Sequence, residues 1–189
     1  MSRSRLPRAL RFARNLLPVL VILLSGRPAP AQVLREDPGE LRKIDLEEHL
    51  GAQIPLDLAF VSGDGDSVTL ADYVRPEQPV ILILGYYTCP MLCNLVFNGV
   101  TAAVREIPWT PGKEYRIVSV SIDPLETVAR ARQTKQRYLR AFGRPGTAGG
   151  WYFLTGERES IDALADAVGF RYRYIPERKE YAHAAAIMA

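Results

Sequence analysis

Residues 79–94, PVILILGYYTCPMLCN, decide the reading of this chain. Val80 to Leu84 form a continuous apolar run bounded by Pro79 and Gly85, the pattern of a strand buried on both faces of a parallel sheet. The second half carries the only two cysteines, Cys89 and Cys93. A strand-to-helix turn puts Cys89 beside a helix N-terminus, where the dipole and the free amides stabilise a thiolate. Pro90 suits the first helical position, because it has no amide hydrogen to leave unpaired. With the helix starting there, the four-residue spacing brings Cys93 onto the face of Cys89, about 5–6 Å away between Cβ atoms. Two such thiols can share a ligand or, with modest adjustment, form a disulfide. A bridge across four residues closes too small a loop to stabilise the fold much, so the pair reads as functional.

The pattern extends in both directions. Downstream, Leu95, Val96, Val100, Ala103, Val104 and Ile107 recur at helical spacing until Pro108. Upstream, Leu56, Leu58 and Phe60 alternate, Gly63 to Asp66 supply turn residues, and Val68 and Leu70 return, which predicts a hairpin. A second buried strand is read at 115–122 (YRIVSVSI), and Asp123-Pro124 then opens a long helix reaching Phe142. Trp151 to Leu154 make a third strand, and Ser160 caps a helix that Gly169 closes. The tail alternates through Phe170, Tyr172 and Tyr174, turns at Pro176 to Lys179 and resumes at Tyr181. This order of elements predicts an α/β fold with a central mixed sheet flanked by helices and an N-terminal hairpin. In such sheets ligands gather at the carboxyl ends of the strands.

The chain has 189 residues and a net charge of +3, from 24 basic and 21 acidic side chains. Arg3, Arg5, Arg8, Arg11, Arg14 and Arg27 all lie in the first 31 residues, which contain no Asp or Glu. The remainder is mildly acidic, with 18 basic residues against 21 acidic ones, and so offers no basic surface for a nucleic acid. An arginine-rich start, the apolar run LLPVLVILL at 16–24 and the ending Ala29-Pro30-Ala31 describe a secretory signal peptide over 1–31, cleaved before Gln32. The run is far short of the roughly 20 apolar residues a membrane span needs. The expectation is an exported, periplasmic protein, membrane-anchored only if the leader is retained. Residues 32–53 read as a charged lead-in with a short helix around Leu41 to Leu50, and residues 54–189 as the domain proper.

A metal site needs a further ligand, and the histidines are His49 and His183. His183 is preferred because a late strand of this fold can lie beside the cysteine turn, whereas His49 precedes the domain. Two thiolates and one imidazole make a soft, low-coordinate site suited to copper; zinc would want a fourth ligand. Met91, between the cysteines, is read as a packing or exposed side chain rather than as a ligand.

The run YYTCPMLCN (86–94), the segment SIDP (121–124) and a lone histidine 90 residues beyond the second cysteine together resemble the Sco/SenC family of copper-binding assembly proteins. The resemblance implies a thioredoxin-like fold from about Ile54 onward. It implies that Cys89, Cys93 and His183 bind copper, as Cu(I) or Cu(II), and that Asp123 supports the site. The partners it implies are a cytochrome c oxidase subunit or another copper-accepting protein, together with a thiol reductant. Asn94 stands where many members have proline, and Ala182 where Asp is common. The family continues with a strand and a helix, so the domain is expected to be incomplete at its C-terminus. The competing reading is a metal-independent thiol-disulfide oxidoreductase or thiol peroxidase using Cys89 and Cys93 as its redox pair, against which stands the three-residue gap between them.

Overall fold

The computed structural model describes residues 44–189; the expected leader and the first part of the lead-in lie outside the described residues. The elements run β1 (Ala59–Ser62), β2 (Ser67–Thr69), β3 (Val80–Gly85), α1 (Leu92–Glu106), β4 (Arg116–Ser121), α2 (Val128–Phe142), β5 (Trp151–Thr155), α3 (Arg158–Ala167), β6 (Tyr172–Ile175) and β7 (Glu180–His183). Five strands form a mixed sheet in the order β2-β1-β5-β4-β3, with β3, β4 and β5 parallel and β1 antiparallel to both of its neighbours. β6 and β7 pair separately as the final hairpin. The outer edge of β3 is met by the last residues of the chain, where Leu82 and Met188 exchange two backbone hydrogen bonds of 2.8 and 2.9 Å.

β4 is buried along its whole length, as a strand covered on both faces must be. Alternation sends Ile117 and Ser119 to one face and Val118 and Val120 to the other. On the first face Phe97 of α1 and Tyr138 of α2 meet at 5.0 Å and close over Phe153 and Trp151, whose indole N–H donates to Ser119 Oγ. That bond satisfies a polar group in an otherwise apolar layer. On the second face Leu164 of α3 shares the walls of a cavity of about 660 Å³ with Leu82 and Val118. No helix among the described residues is long and apolar enough to cross a membrane.

Three helix starts differ from the sequence expectation. α1 begins at Leu92 rather than at Pro90. α2 begins at Val128, because Thr127 Oγ1 accepts from Arg130 N and takes the cap position. The Asp123 carboxylate meanwhile accepts from Leu125 N and turns the preceding residues aside. α3 begins at Arg158, which leaves Ser160 inside its first turn and Glu157 at the cap.

Residues 44–50 contain no helix, contrary to expectation, and they pack on the tail instead. Leu46 bridges Phe170, Glu47 N donates to Gly169 O, and Arg171 N donates to Asp45 O. Gly169 makes that approach possible. Its φ is +69°, and a Cβ there would lie 1.9 Å from Glu47 O. Gly143 has the same φ but nothing nearer than Arg140 O at 3.8 Å. Gly143→Ala is therefore expected to cost only the left-handed backbone strain, about 1–2 kcal/mol. Gly169→Ala is expected to cost clearly more in urea denaturation; equal costs would show that the contact with Glu47 contributes nothing to stability.

Candidate metal centre

Because β3 and β4 are parallel and paired from Val80↔Arg116 to Gly85↔Ser121, their carboxyl ends open on the same side. The chain leaves β3 through Tyr86, whose N–H donates to Cys93 Sγ at 3.4 Å. Gly85 admits the sulfur, since a Cβ there would stand 3.1 Å from Cys93 Sγ. Cys93 is the second residue of α1, and Cys89 lies three residues before the helix begins. Pro90 therefore sits in the turn rather than in the first helical position. The two cysteines still meet, because Cys93 N donates to Cys89 Sγ at 3.3 Å. The Cys89 sulfur thus accepts from a free helical amide, as the oxygen of a Ser or Asp cap does.

His183 ends β7, opposite Tyr172. Its Nε2 lies 3.2 Å from Cys93 Sγ and its Nδ1 lies 2.8 Å from Ala184 O. A carbonyl can only accept, so Nδ1 carries a hydrogen toward Ala184 O, and Nε2 is the ring nitrogen that faces the sulfurs. The ligand atoms of Cys89, Cys93 and His183 all lie within 4.8 Å of one another. The three residues are only 7%, 3% and 8% exposed. The rings of Tyr86 and Phe170 wall the imidazole at 5.9 and 5.8 Å.

The two thiols are electrostatically unequal. A hydrogen bond from the Cys93 thiol holds Cys89 well below the usual thiol range; His183 and the amides of Cys93 and Met91 add to this against the opposing effect of burial. Cys93 is pushed up, first because it keeps the proton it donates to Cys89, then by burial. The reduced pair therefore holds one thiolate and one thiol.

The other residues weighed for the site fall outside the group of three, His49 and Met91 as the sequence reading expected. His49 lies at the surface, with Nδ1 3.2 Å from Ala167 O and Nε2 3.7 Å from Glu47. Met91 is 69% exposed. Asp123 makes no contact with the three side chains: its Oδ1 accepts from Leu125 N at 3.0 Å and from Tyr181 OH at 3.4 Å. Its side chain reaches toward the site through Tyr181, whose ring packs on Tyr86 at 5.5 Å, and its backbone N donates to Ser121 Oγ at 3.1 Å.

Two residues at the site escaped the sequence reading as participants. Glu126 accepts from Tyr87 N at 2.8 Å, Thr88 N at 2.5 Å and Ser121 Oγ at 2.7 Å, and so holds the cysteine turn from the far side of the β3–β4 pair. Asn94, noticed only as a departure from proline, donates to Cys89 O at 3.0 Å and accepts from Arg137 and Tyr138 at 3.2 Å. Glu126 had no local signal, because its contacts come from register and not from spacing. Asn94 did have one, since a side-chain amide just after a turn cysteine can bond the turn's backbone.

Residues 48–188 match the family model described as SCO1/SenC. Among solved structures, a protein from Aquifex aeolicus VF5 is similar over 73% of this chain and 76% of its own, with 24% identity and a TM-score of 0.62. The copper-bound ScoI of Arabidopsis thaliana is 22% identical over 69% of this chain and 76% of its own, with a TM-score of 0.56. The copper-bound ScoI of Bradyrhizobium japonicum is 20% identical over 71% and 81%, with a TM-score of 0.54. No curated protein is a significant match. The fold is thioredoxin-like, as the sequence reading expected.

The inequality of the thiols has a direct spectroscopic consequence. At about pH 6, far below the ordinary thiol value of about 8.5, the reduced protein is expected to show the ultraviolet absorbance of one thiolate. Cys89→Ser should abolish it. Cys93→Ser should move its titration up toward the ordinary value, because the main hydrogen bond to Cys89 is gone. A fully protonated pair at that pH in the wild type would contradict this assignment.

Proposed function

We propose that this chain, which belongs to the SCO1/SenC family, carries one copper ion on Cys89, Cys93 and His183 and hands it to an acceptor protein. One observation carries the reading: two sulfurs and an imidazole nitrogen, all on buried residues, converge within 4.8 Å of one another. The donor set fits the cargo. Soft sulfur with imidazole suits copper, and three ligands satisfy Cu(I), whereas zinc would look for a fourth. No carboxylate enters the set, which disfavours magnesium and calcium. Cys89 is already ionised, Nε2 is the nitrogen of His183 that faces the sulfurs, and metal binding there would release the proton of Cys93. Nδ1–H bonded to Ala184 O keeps the imidazole aimed. Two similar structures, both described as copper-bound ScoI, agree with this reading.

The setting completes the proposal. The arginine-rich leader exports the chain, the protein works in the periplasm, and the recipient is a copper site of cytochrome c oxidase, with a thiol reductant keeping the cysteines reduced. A second reading has its own support in the thiolate–thiol inequality of Cys89 and Cys93, which is also that of an attacking and a resolving thiol. In that reading the pair performs thiol-disulfide exchange without metal.

Anaerobic titration with Cu(I) separates the two. The wild type is expected to bind one ion, Cys89→Ser and Cys93→Ser to lose it, and His183→Ala to weaken it by at least about tenfold, the least that losing even a supporting partner costs. Unchanged copper affinity and spectrum in His183→Ala would end the three-ligand proposal. Undiminished exchange with glutathione in a His183→Ala protein that no longer binds copper would favour the metal-free reading.

A further inference from the structure

The turn from Tyr86 to Met91 has to deliver one sulfur to another and to an imidazole from a strand 90 residues away, yet it is poorly held from within. Its internal backbone bond is Cys89 N to Tyr86 O at 3.3 Å. The Tyr87 hydroxyl also donates to Ser119 O and Leu154 O, which fixes that ring, while the backbone of the turn is held by side chains outside it. Asn94 binds the Cys89 carbonyl, and Glu126 takes the two successive amides of Tyr87 and Thr88, one on each carboxylate oxygen. Glu126 is itself aimed, because buried Ser121 at the end of β4 donates to its Oε2 at 2.7 Å. A carboxylate just before the cap of α2 has an obvious alternative role in favouring that helix's dipole. Here, however, both of its oxygens face the cysteine turn, and the cap itself is Thr127. Charge-assisted bonds of this bidentate kind combine strength with geometric definition.

We propose that Glu126 is the positioning residue of the dithiol: by clamping the Tyr87–Thr88 backbone it fixes where Cys89 stands relative to Cys93 and His183. The inference deepens the copper-carrying reading, and it rests on that reading in taking the dithiol as the working site. Ser121 acts one step further back by holding the clamp. The consequence is readable without metal. A turn that is fixed in place gives each thiol a high effective concentration toward the other. Loosening it lowers that concentration and moves the dithiol–disulfide balance toward the dithiol. The balance is defined by the protein disulfide accepting two electrons and two protons from two glutathione thiols, which leave as one glutathione disulfide.

The experiment equilibrates metal-free wild type, Glu126→Gln, Glu126→Ala and Ser121→Ala with glutathione redox buffers, and reads the thiol fraction by alkylation and mass. Glu126→Gln preserves size but can offer only one oxygen to two amides. It is expected to shift the equilibrium about tenfold toward the dithiol, which is about 30 mV for a two-electron couple. Glu126→Ala should shift it at least as far, and Ser121→Ala less far in the same direction. A residue that served only overall stability would lower the melting temperature and leave this balance alone. Both Glu126 variants staying within about twofold of wild type, or Ser121→Ala moving the opposite way, overturns the proposal. A parallel Cu(I) titration of the same proteins should show weakened binding in the Glu126 variants. If the wild type took up no copper, the copper-carrying reading would fail, while the glutathione measurement would still decide the role of Glu126.

Discussion

Parallel pairing of β3 with β4, in register from Val80↔Arg116 to Gly85↔Ser121, is the constraint from which the site follows. It makes the two carboxyl ends neighbours, so that whatever leaves β3 faces whatever leaves β4. The cysteine turn leaves β3 and the segment 122–127 leaves β4, and Glu126 joins them across the gap. β7 supplies the third side, bringing His183 to Cys93. Without that register the cysteines would still sit four residues apart, but the turn would lose its clamp.

The site is buried, and burial makes each polar group costly unless it has a partner. The structure meets that demand by giving nearly every group at the centre a second use. The free amide of Cys93 stabilises the Cys89 sulfur, the Tyr86 amide bonds Cys93, and the Ala184 carbonyl selects the histidine tautomer. Gly85 contributes by absence, since any side chain there would press on Cys93. The same economy makes the two thiols unequal, because only one proton is held between two adjacent sulfurs while the helix amides favour one of them.

Much of this was legible from the residues. An apolar run bounded by Pro79 and Gly85 marked β3, the stretch YRIVSVSI at 115–122 marked β4, helical periodicity marked α1 to α3, and turn residues marked both hairpins, because these signals depend on neighbours in sequence. The reasoning that joined two thiols to one late histidine also led to three side chains that do converge. Helix starts were less readable. Pro90 and Ser160 are good start residues, but each was displaced when the chain found another arrangement. Cys89 Sγ accepts from the amide of Cys93 in the helix's first turn, and Glu157 took the cap of α3. Asp123 stands close in sequence to the right place yet bonds Leu125 and Tyr181, while Glu126 three residues on faces the cysteine turn.

What the sequence by itself determined is the alternation of strands and helices, the resemblance to a family, and the candidate cysteine pair, since these are written in residue type and local spacing. What only the tertiary structure decided is which groups hold the donors: Glu126 and Ser121 behind the turn, Asn94 at the Cys89 carbonyl, Tyr181 between Asp123 and the site, and Glu47 against Gly169. These contacts join segments tens of residues apart through strand register and the direction of individual side chains. Spacing along the chain carries no record of either, because pairing chooses among many registers of similar local propensity and packing selects one.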